Sequence, residues 1–452
     1  VLRSAEIVLR GGKVALPKRD EFEQVDIAIE KGLIVDIGNG FSGESEVDLR
    51  DLIVLPGGID PHVHFNDPGF TFREDFYSGN CAAAAGGITT IIDMPCTSIP
   101  PITNADNLKH KLDVISKEAI IDYGLFGGVC AQMFEGDFAA EMKSIANDIL
   151  GFKTYFLSGM NSFCHLDHFQ FEKVLRVAAD LQTIVLLHAE DPAYVVSATD
   201  YHRRKGDSPL DYYRSRPEIA EVLAIETAVK IAEDTGADLH IVHISSADGA
   251  NSILGGRITG ETAPHYLAFD VDDFIRIGSP LKVNPPVKSH DNAEVLWQKL
   301  SDGVLDFVAS DHAPCTKDEK NTGSIWNDYS GIPGVGTILP YMFSEGYLKN
   351  RLTLSQLTRT TSQSAAKRYG ISIRKGSIEI GKDADFAVID PSLKWRVRGA
   401  DFLSMGKITP FEDMVFEAQV VKTFLRGKQI YDVENGILTN PGTGKFLRKT
   451  NE

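Results

Sequence analysis

The stretch Pro56-Gly57-Gly58-Ile59-Asp60-Pro61-His62-Val63-His64-Phe65-Asn66-Asp67-Pro68-Gly69 decides the fold. An apolar run, Leu52-Ile53-Val54-Leu55, leads into two glycines and then into His-x-His. Side chains along a strand alternate between faces, so His62 and His64 point the same way. Two imidazoles on one face of a strand end can hold one metal ion. Taken alone, the pair reads equally well as two partly exposed histidines in a turn. The rest of the chain tips the balance, because it repeats the pattern of an apolar strand that ends in ionisable residues.

From residue 52 onward, eight apolar runs alternate with helical patterns: 52–64, 88–94, 120–129, 149–157, 183–188, 238–244, 257–265 and 304–311. Residues 72–85, 105–117, 138–148, 167–180, 217–233 and 290–300 carry helical spacing between them. Eight such units predict an α/β protein, a (β/α)8 TIM-like barrel, with a doubly wound sheet as the alternative on pattern alone. Residues 1–50 read instead as short strands joined by glycine turns. After residue 350 come a helix over 355–369 and β-like segments over 375–390 and 420–427. The expected organisation is therefore a β-sandwich part over 1–54, a metal-dependent barrel over 55–372, and the second sandwich part with a tail over 373–452. The two terminal segments would form one small composite β-sandwich. From Asn440 the tail, rich in Gly, Thr, Asn and Lys, is expected to be loosely held.

Composition narrows the function. The chain has 452 residues, 43% hydrophobic and 24% charged, a globular profile. Its net charge of −17, from 46 basic and 63 acidic residues, argues against a nucleic-acid or anionic-membrane partner. No apolar run approaches the roughly 18 residues of a membrane span. The N-terminus shows no signal-peptide pattern. Five widely spaced cysteines without C-x-x-C suit a reducing cytoplasm.

In a barrel of this kind the active site forms where strands end. Those ends carry His62 and His64, Lys153, His188 with Glu190, His243, His265, and Asp311 with His312. Four histidines and an aspartate at one rim suit one or two zinc-like ions, although Asp311 alone could be a helix N-cap. His265 and His312 are expected beside the ligands or against substrate. His110, His165, His168, His202, His240 and His290 have no such company and read as surface or packing residues. Lys153 is the odd member, since an ammonium repels a metal. Burial could lower its pKa and let it form a carbamate with CO2; a Schiff-base lysine and a barrel salt bridge remain open on composition.

His62-x-His64, glycine-flanked Lys153, His188, His243 and Ser310-Asp311-His312 together resemble the amidohydrolase superfamily, and within it the cyclic amidohydrolases. Ala82–Thr90, Asp93-Met94-Pro95, Glu261–Tyr266 and Lys375–Asp385 match that group too, so the similarity covers nearly the whole chain. The resemblance implies an enzyme with two divalent metal ions, zinc in the first instance, bridged by Lys153 as N6-carboxylysine. One ion would take His62, His64 and Asp311, the other His188 and His243. Asp311 would act as the catalytic general base and then acid in hydrolysis of a cyclic amide. It also implies a small-molecule cyclic amide or ureide substrate and a homodimer or homotetramer. Metal-free relatives that serve as scaffolds form the non-enzyme alternative, and retention of all six ligand positions argues against it.

The subfamily signals divide. Dihydroorotases usually carry Arg at the position of Asn66, where it binds the substrate carboxylate, and the loss of that bidentate guanidinium is not mild. Hydantoinases place a Tyr where this chain has Ser158. Allantoinases resemble the chain at Phe65-Asn66, at Ser98-Ile99-Pro100-Pro101 and at Cys315, whereas 281–286 and 331–334 read more like dihydroorotase. The expectation is opening of allantoin to allantoate, with dihydroorotate next and hydantoin or dihydropyrimidine rings after it. Asn66, Ser158 and Asn284 are the expected substrate contacts.

Overall fold

Every residue of the strand Gly58–Val63 is buried, as is every residue of Ile88–Asp93. Strands buried on both faces belong to a parallel sheet covered by helices. The computed structural model describes residues 4–450. In it the barrel strands follow as Gly58–Val63, Ile88–Asp93, Asp122–Leu125 with its continuation Gly127–Gly128, Phe152–Tyr155, Ile184–His188, Asp238–Ile241, Ile258–Thr262 and Phe307–Val308. Neighbours pair in parallel all the way round. A parallel bridge from Val63 to His312 closes the ring, with the His64 N–H donating to the His312 carbonyl at 2.8 Å. The result is the expected (β/α)8 barrel.

The helices start where the sequence supplies caps. Asp75 and Asp167 each form a capping box ahead of Phe76–Ala85 and His168–Asp180, and Asn104 caps Ala105–Ile115. Two further helices, Pro192–Arg203 and Pro209–Ser215, lie between the fifth and sixth barrel strands, each with proline in its first turn behind Asp191 or Ser208.

Both ends of the described chain enter one nine-stranded sheet. Its centre is Ile53–Pro56, which pairs parallel with Ser4–Val14 and antiparallel with Phe386–Asp390. The run over 52–64, read from sequence as one strand, is thus two: the chain leaves the terminal sheet at Pro56 and enters the barrel at Gly58. Gly57 makes the transfer. Its N–H donates to the Asp385 carbonyl, its carbonyl accepts from Ser362 Oγ at 2.9 Å, and a Cβ there would meet Thr89 Oγ1 at 2.2 Å. Ser362 belongs to a wide-turn segment, Arg359–Gln363, that interrupts the expected helix over 355–369. Thr360 and Thr361 hydroxyls donate back to main-chain carbonyls there.

Within 375–390 only Phe386–Asp390 is a strand. Lys375 is instead buried among Asp122, Asp383 and Asp385 at 2.5, 3.0 and 2.6 Å, fastening the C-terminal segment to a barrel strand. The tail is not loose. The N–H groups of Gly442 and Gly444 donate to the Ala119 carbonyl, Lys445 and Leu447 pair with Tyr123, and Thr450 reaches Gly370. Phe446 packs on the Tyr123 ring at 5.7 Å. No helix among the described residues is long and apolar enough to cross a membrane.

Candidate metal centre

The barrel brings the sequence-predicted ligands to one rim. His62 Nε2 lies 3.2 Å and His64 Nε2 3.4 Å from Asp311 Oδ1. His188 Nδ1 and His243 Nε2 face each other at 3.0 Å. The His62 and His243 rings are 5.3 Å apart, which joins the two groups. Lys153, in the fourth barrel strand, is wholly buried and its Nζ has no hydrogen-bond partner among the described residues. Burial pushes its pKa down to about 8. His243 and Asp311 both hold positive φ, 41° and 48°. Such conformations are uncommon outside glycine and concentrate at functional sites.

Buried carboxylates fix these rings. Glu261 Oε1 sits 2.5 Å from His62 Nδ1. Glu190 Oε2 sits 2.9 Å from His188 Nε2 and accepts from Arg216 at 2.6 Å. Burial opposes the charge on Glu190, but Arg216 and His188 overcome it and hold the carboxyl at about 2. Asp60 accepts the N–H of Ser310 at 3.0 Å and that of His62 at 3.3 Å, so it ties the first strand to the residue before Asp311. Burial also opposes ionisation of Asp311, yet the His62, His64 and His243 rings keep its carboxyl well below the usual range.

This donor set fits divalent cations. With the His62 Nδ1–H given to Glu261, its Nε2 turns a lone pair toward the Asp311 carboxylate. With the His188 Nε2–H given to Glu190, its Nδ1 does the same toward His243. Converging lone pairs on imidazole and carboxylate are what zinc-like ions take up, and carboxylates behind the rings set the tautomer. The ligating atoms of His62, His64 and Asp311 all lie within 4.8 Å of one another. Asp122, Asp383 and Asp385 meet the same criterion, but there Lys375 already supplies the cation.

A cavity of about 320 Å³ opens above the centre. Tyr155, Leu157, Ser158, Met160, Val283 and Asn284 are among its walls. Ser158 Oγ donates to the Phe163 carbonyl at 2.7 Å, and Asn284 Oδ1 accepts from Tyr212 at 2.6 Å. Asn66 does not line this cavity. Its φ is 57°, and its side-chain amide donates to the His64 carbonyl at 3.0 Å. His312 is held by Glu74 at 3.2 Å and by the Gly334 N–H at 3.0 Å. His265 is buried against Tyr266 and outside the cavity lining.

Residues 53–430 match the amidohydrolase family. The chain belongs to that family. This amidohydrolase is 35% identical to the allantoinase of Rubrobacter xylanophilus, with 99% of this chain and 98% of that one covered. It is 32% identical to the allantoinase of Enterococcus faecalis, with 98% and 99% covered. Among solved structures it resembles the L-hydantoinase (dihydropyrimidinase) of Arthrobacter aurescens, with a TM-score of 0.93, 27% identity, and 98% and 100% covered. The D-hydantoinase of a Bacillus sp. AR9 has a TM-score of 0.88 and 30% identity, with 99% and 100% covered. The amidohydrolase is thus a hydrolase whose relatives are named for cyclic amides.

Sequence reasoning passed over the carboxylates behind the rings. Glu261 stood only within a family motif, and Glu190 was a strand-end acid without a role. Their signal was present: each lies on or just beyond a barrel strand, at a position whose side chain has nowhere to go but the core. His240, read as surface or packing, is wholly buried and bonded to Glu261 at 3.2 Å.

Proposed function

We propose that this chain hydrolyses one ring C–N bond of a neutral cyclic ureide, converting allantoin to allantoate. The carrying observation is the charge of the cavity wall. Arg216 is the only guanidinium among the described lining residues, and Glu190 neutralises it at 2.6 Å. A ring bearing a free carboxylate, as in dihydroorotate, would have no unpaired arginine to meet it, whereas a neutral ureide needs none. The similarity to two chains named allantoinase supports the same choice.

His62, His64 and Asp311 would hold one divalent ion and His188 and His243 a second, zinc being the expected metal. Lys153 would join them after its neutral amine adds CO2, losing one proton to become a carbamate; a lysine held near 8 keeps enough free amine for this. Bound there, the ions supply a more acidic water and a polarised ring carbonyl. Hydrolysis adds water across the bond, oxygen to the carbonyl carbon and a proton to nitrogen. Asp311, ionised and at the centre of the rim, takes the proton from the attacking water and returns it to the leaving nitrogen. Ser158 and Asn284 offer polar contacts to the ring, and Leu157, Met160 and Val283 keep bulk water back. The family resemblance carries with it a homodimer or homotetramer, and the five free thiols suit a cytoplasmic enzyme.

The test is a panel of allantoin, dihydroorotate, hydantoin and dihydrouracil on metal-replete protein, compared by kcat/KM. Dominant allantoin turnover is expected. Dominant dihydroorotate turnover would overturn the argument from Arg216, and dominant hydantoin turnover would move the chain toward its structural neighbours.

A further inference from the structure

We infer that Glu261 is a positioning residue that holds the two halves of the metal centre in register through a single carboxylate. The inference rests on the ligand assignment proposed above and adds to it a residue outside the ligand set.

Glu261 is wholly buried in the seventh barrel strand, Ile258–Thr262. Its Oε1 makes two contacts. One is to His62 Nδ1 at 2.5 Å, and the other accepts the backbone N–H of His243 at 3.4 Å. The first fixes the ring of a residue in the His62, His64 and Asp311 group. The second holds the main chain of a residue in the His188 and His243 group, at the point where φ is 41°. The same oxygen therefore touches one residue from each half.

The carboxylate is itself held in place. Oε2 lies 3.2 Å from His240 Nε2, and His240 Nδ1 lies 2.8 Å from Thr259 Oγ1. A neutral His240 satisfies both, donating from Nε2 and accepting the threonine hydroxyl proton at Nδ1. His240 stacks on Phe307 of the eighth strand at 5.0 Å, which fixes its plane. Thr259, His240, Glu261 and His62 thus form one chain of contacts from the barrel interior to the rim. Outer partners of this kind set ligand tautomer and orientation, and their loss typically lowers metal affinity 10- to 100-fold.

The experiment titrates zinc into metal-free wild type, Glu261→Gln and Glu261→Ala against a chromophoric chelator. Circular dichroism and melting of each metal-free protein are recorded alongside. Gln keeps an acceptor for His62 but turns its NH2 toward His240, which must then move its proton to Nδ1 and donate to Thr259. Both zinc affinities are expected to fall together, by 10- to 100-fold in E261A and by less in E261Q. Weakening of only one zinc site in E261A would overturn the shared grip. So would wild-type affinity for both ions in either folded variant, including a lowered melting temperature with unchanged affinity. If E261A does not fold, E261Q decides by the same criteria. Wild-type protein that takes up fewer than two zinc ions would bring down the two-ion assignment first, and this inference with it.

Discussion

Replacing Lys153 by methionine should stabilise the metal-free protein while destroying the loaded one. Lys153 is wholly buried, its Nζ has no hydrogen-bond partner among the described residues, and burial lowers its pKa from 10.5 to about 8 despite the opposing pull of Cys96, Asp311 and Glu261. At about 1.4 kcal/mol for each tenfold in the proton equilibrium, the ammonium costs the fold about 3 kcal/mol wherever it must stay charged. The unfolded chain keeps its proton up to about pH 10.5, and the folded chain releases it near 8. Between those values the unfolded state binds more protons, so stability of the metal-free protein climbs with pH and the penalty is fully present below 8. Methionine has similar length and no charge. Metal-free Lys153→Met is therefore expected to exceed metal-free wild type by about 3 kcal/mol at pH 7, with the gap closing between pH 8 and 10.5. Urea unfolding followed by tryptophan fluorescence, in chelator and CO2-free buffer, measures it. With zinc and bicarbonate the order should reverse, because only wild type gains binding free energy. Equal or lower stability of the metal-free variant at pH 7, or a gap indifferent to pH, would refute the reasoning.

Three further outcomes are expected. Lys153→Ala should lose most bound metal and turnover, and short-chain carboxylic acids should restore part of both, as measured by metal analysis and allantoin hydrolysis. Arg216→Met leaves Glu190 buried beside His188 without its cation, so it should cost about 3–5 kcal/mol, the usual penalty for breaking a buried pair, read as a lower melting temperature. Ending the chain at residue 439 uncovers Tyr123 and removes the partly buried Phe446 and Leu447, at about 2 kcal/mol by urea unfolding.

The barrel was legible because its strands are buried on both faces and so read as unbroken apolar runs with ionisable ends. The six residues proposed as ligands could be picked out for the same reason: strand ends point at one rim. Pro192–Arg203 and Pro209–Ser215 were not, because the first buries only Val195 and the second only Tyr212 and Ser215. An apolar stripe that thin gives no period to detect. The break at Gly57 was hidden because both flanking strands are wholly buried, and what separates them is contact with Thr89, Ser362 and Asp385, far away in sequence. The φ of 57° at Asn66 was not legible either, because the strand alternation of His62 and His64 gives no sign that the chain turns two residues later. The tail misled because its hold is mostly main-chain hydrogen bonding to Ala119 and Tyr123, which leaves no trace in side-chain composition.

The placement of Ile53–Pro56 between Ser4–Val14 and Phe386–Asp390 has a consequence for biosynthesis. The strand is made early, but its second neighbour follows about 330 residues later. At roughly 5–20 residues per second, a ribosome needs tens of seconds to deliver it. Throughout that interval the nascent chain carries an apolar strand with one open edge, the kind of surface that recruits stray strands. The barrel must therefore assemble while its terminal sheet is still half built, and the strand that covers that edge is the first of the four C-terminal strands to emerge.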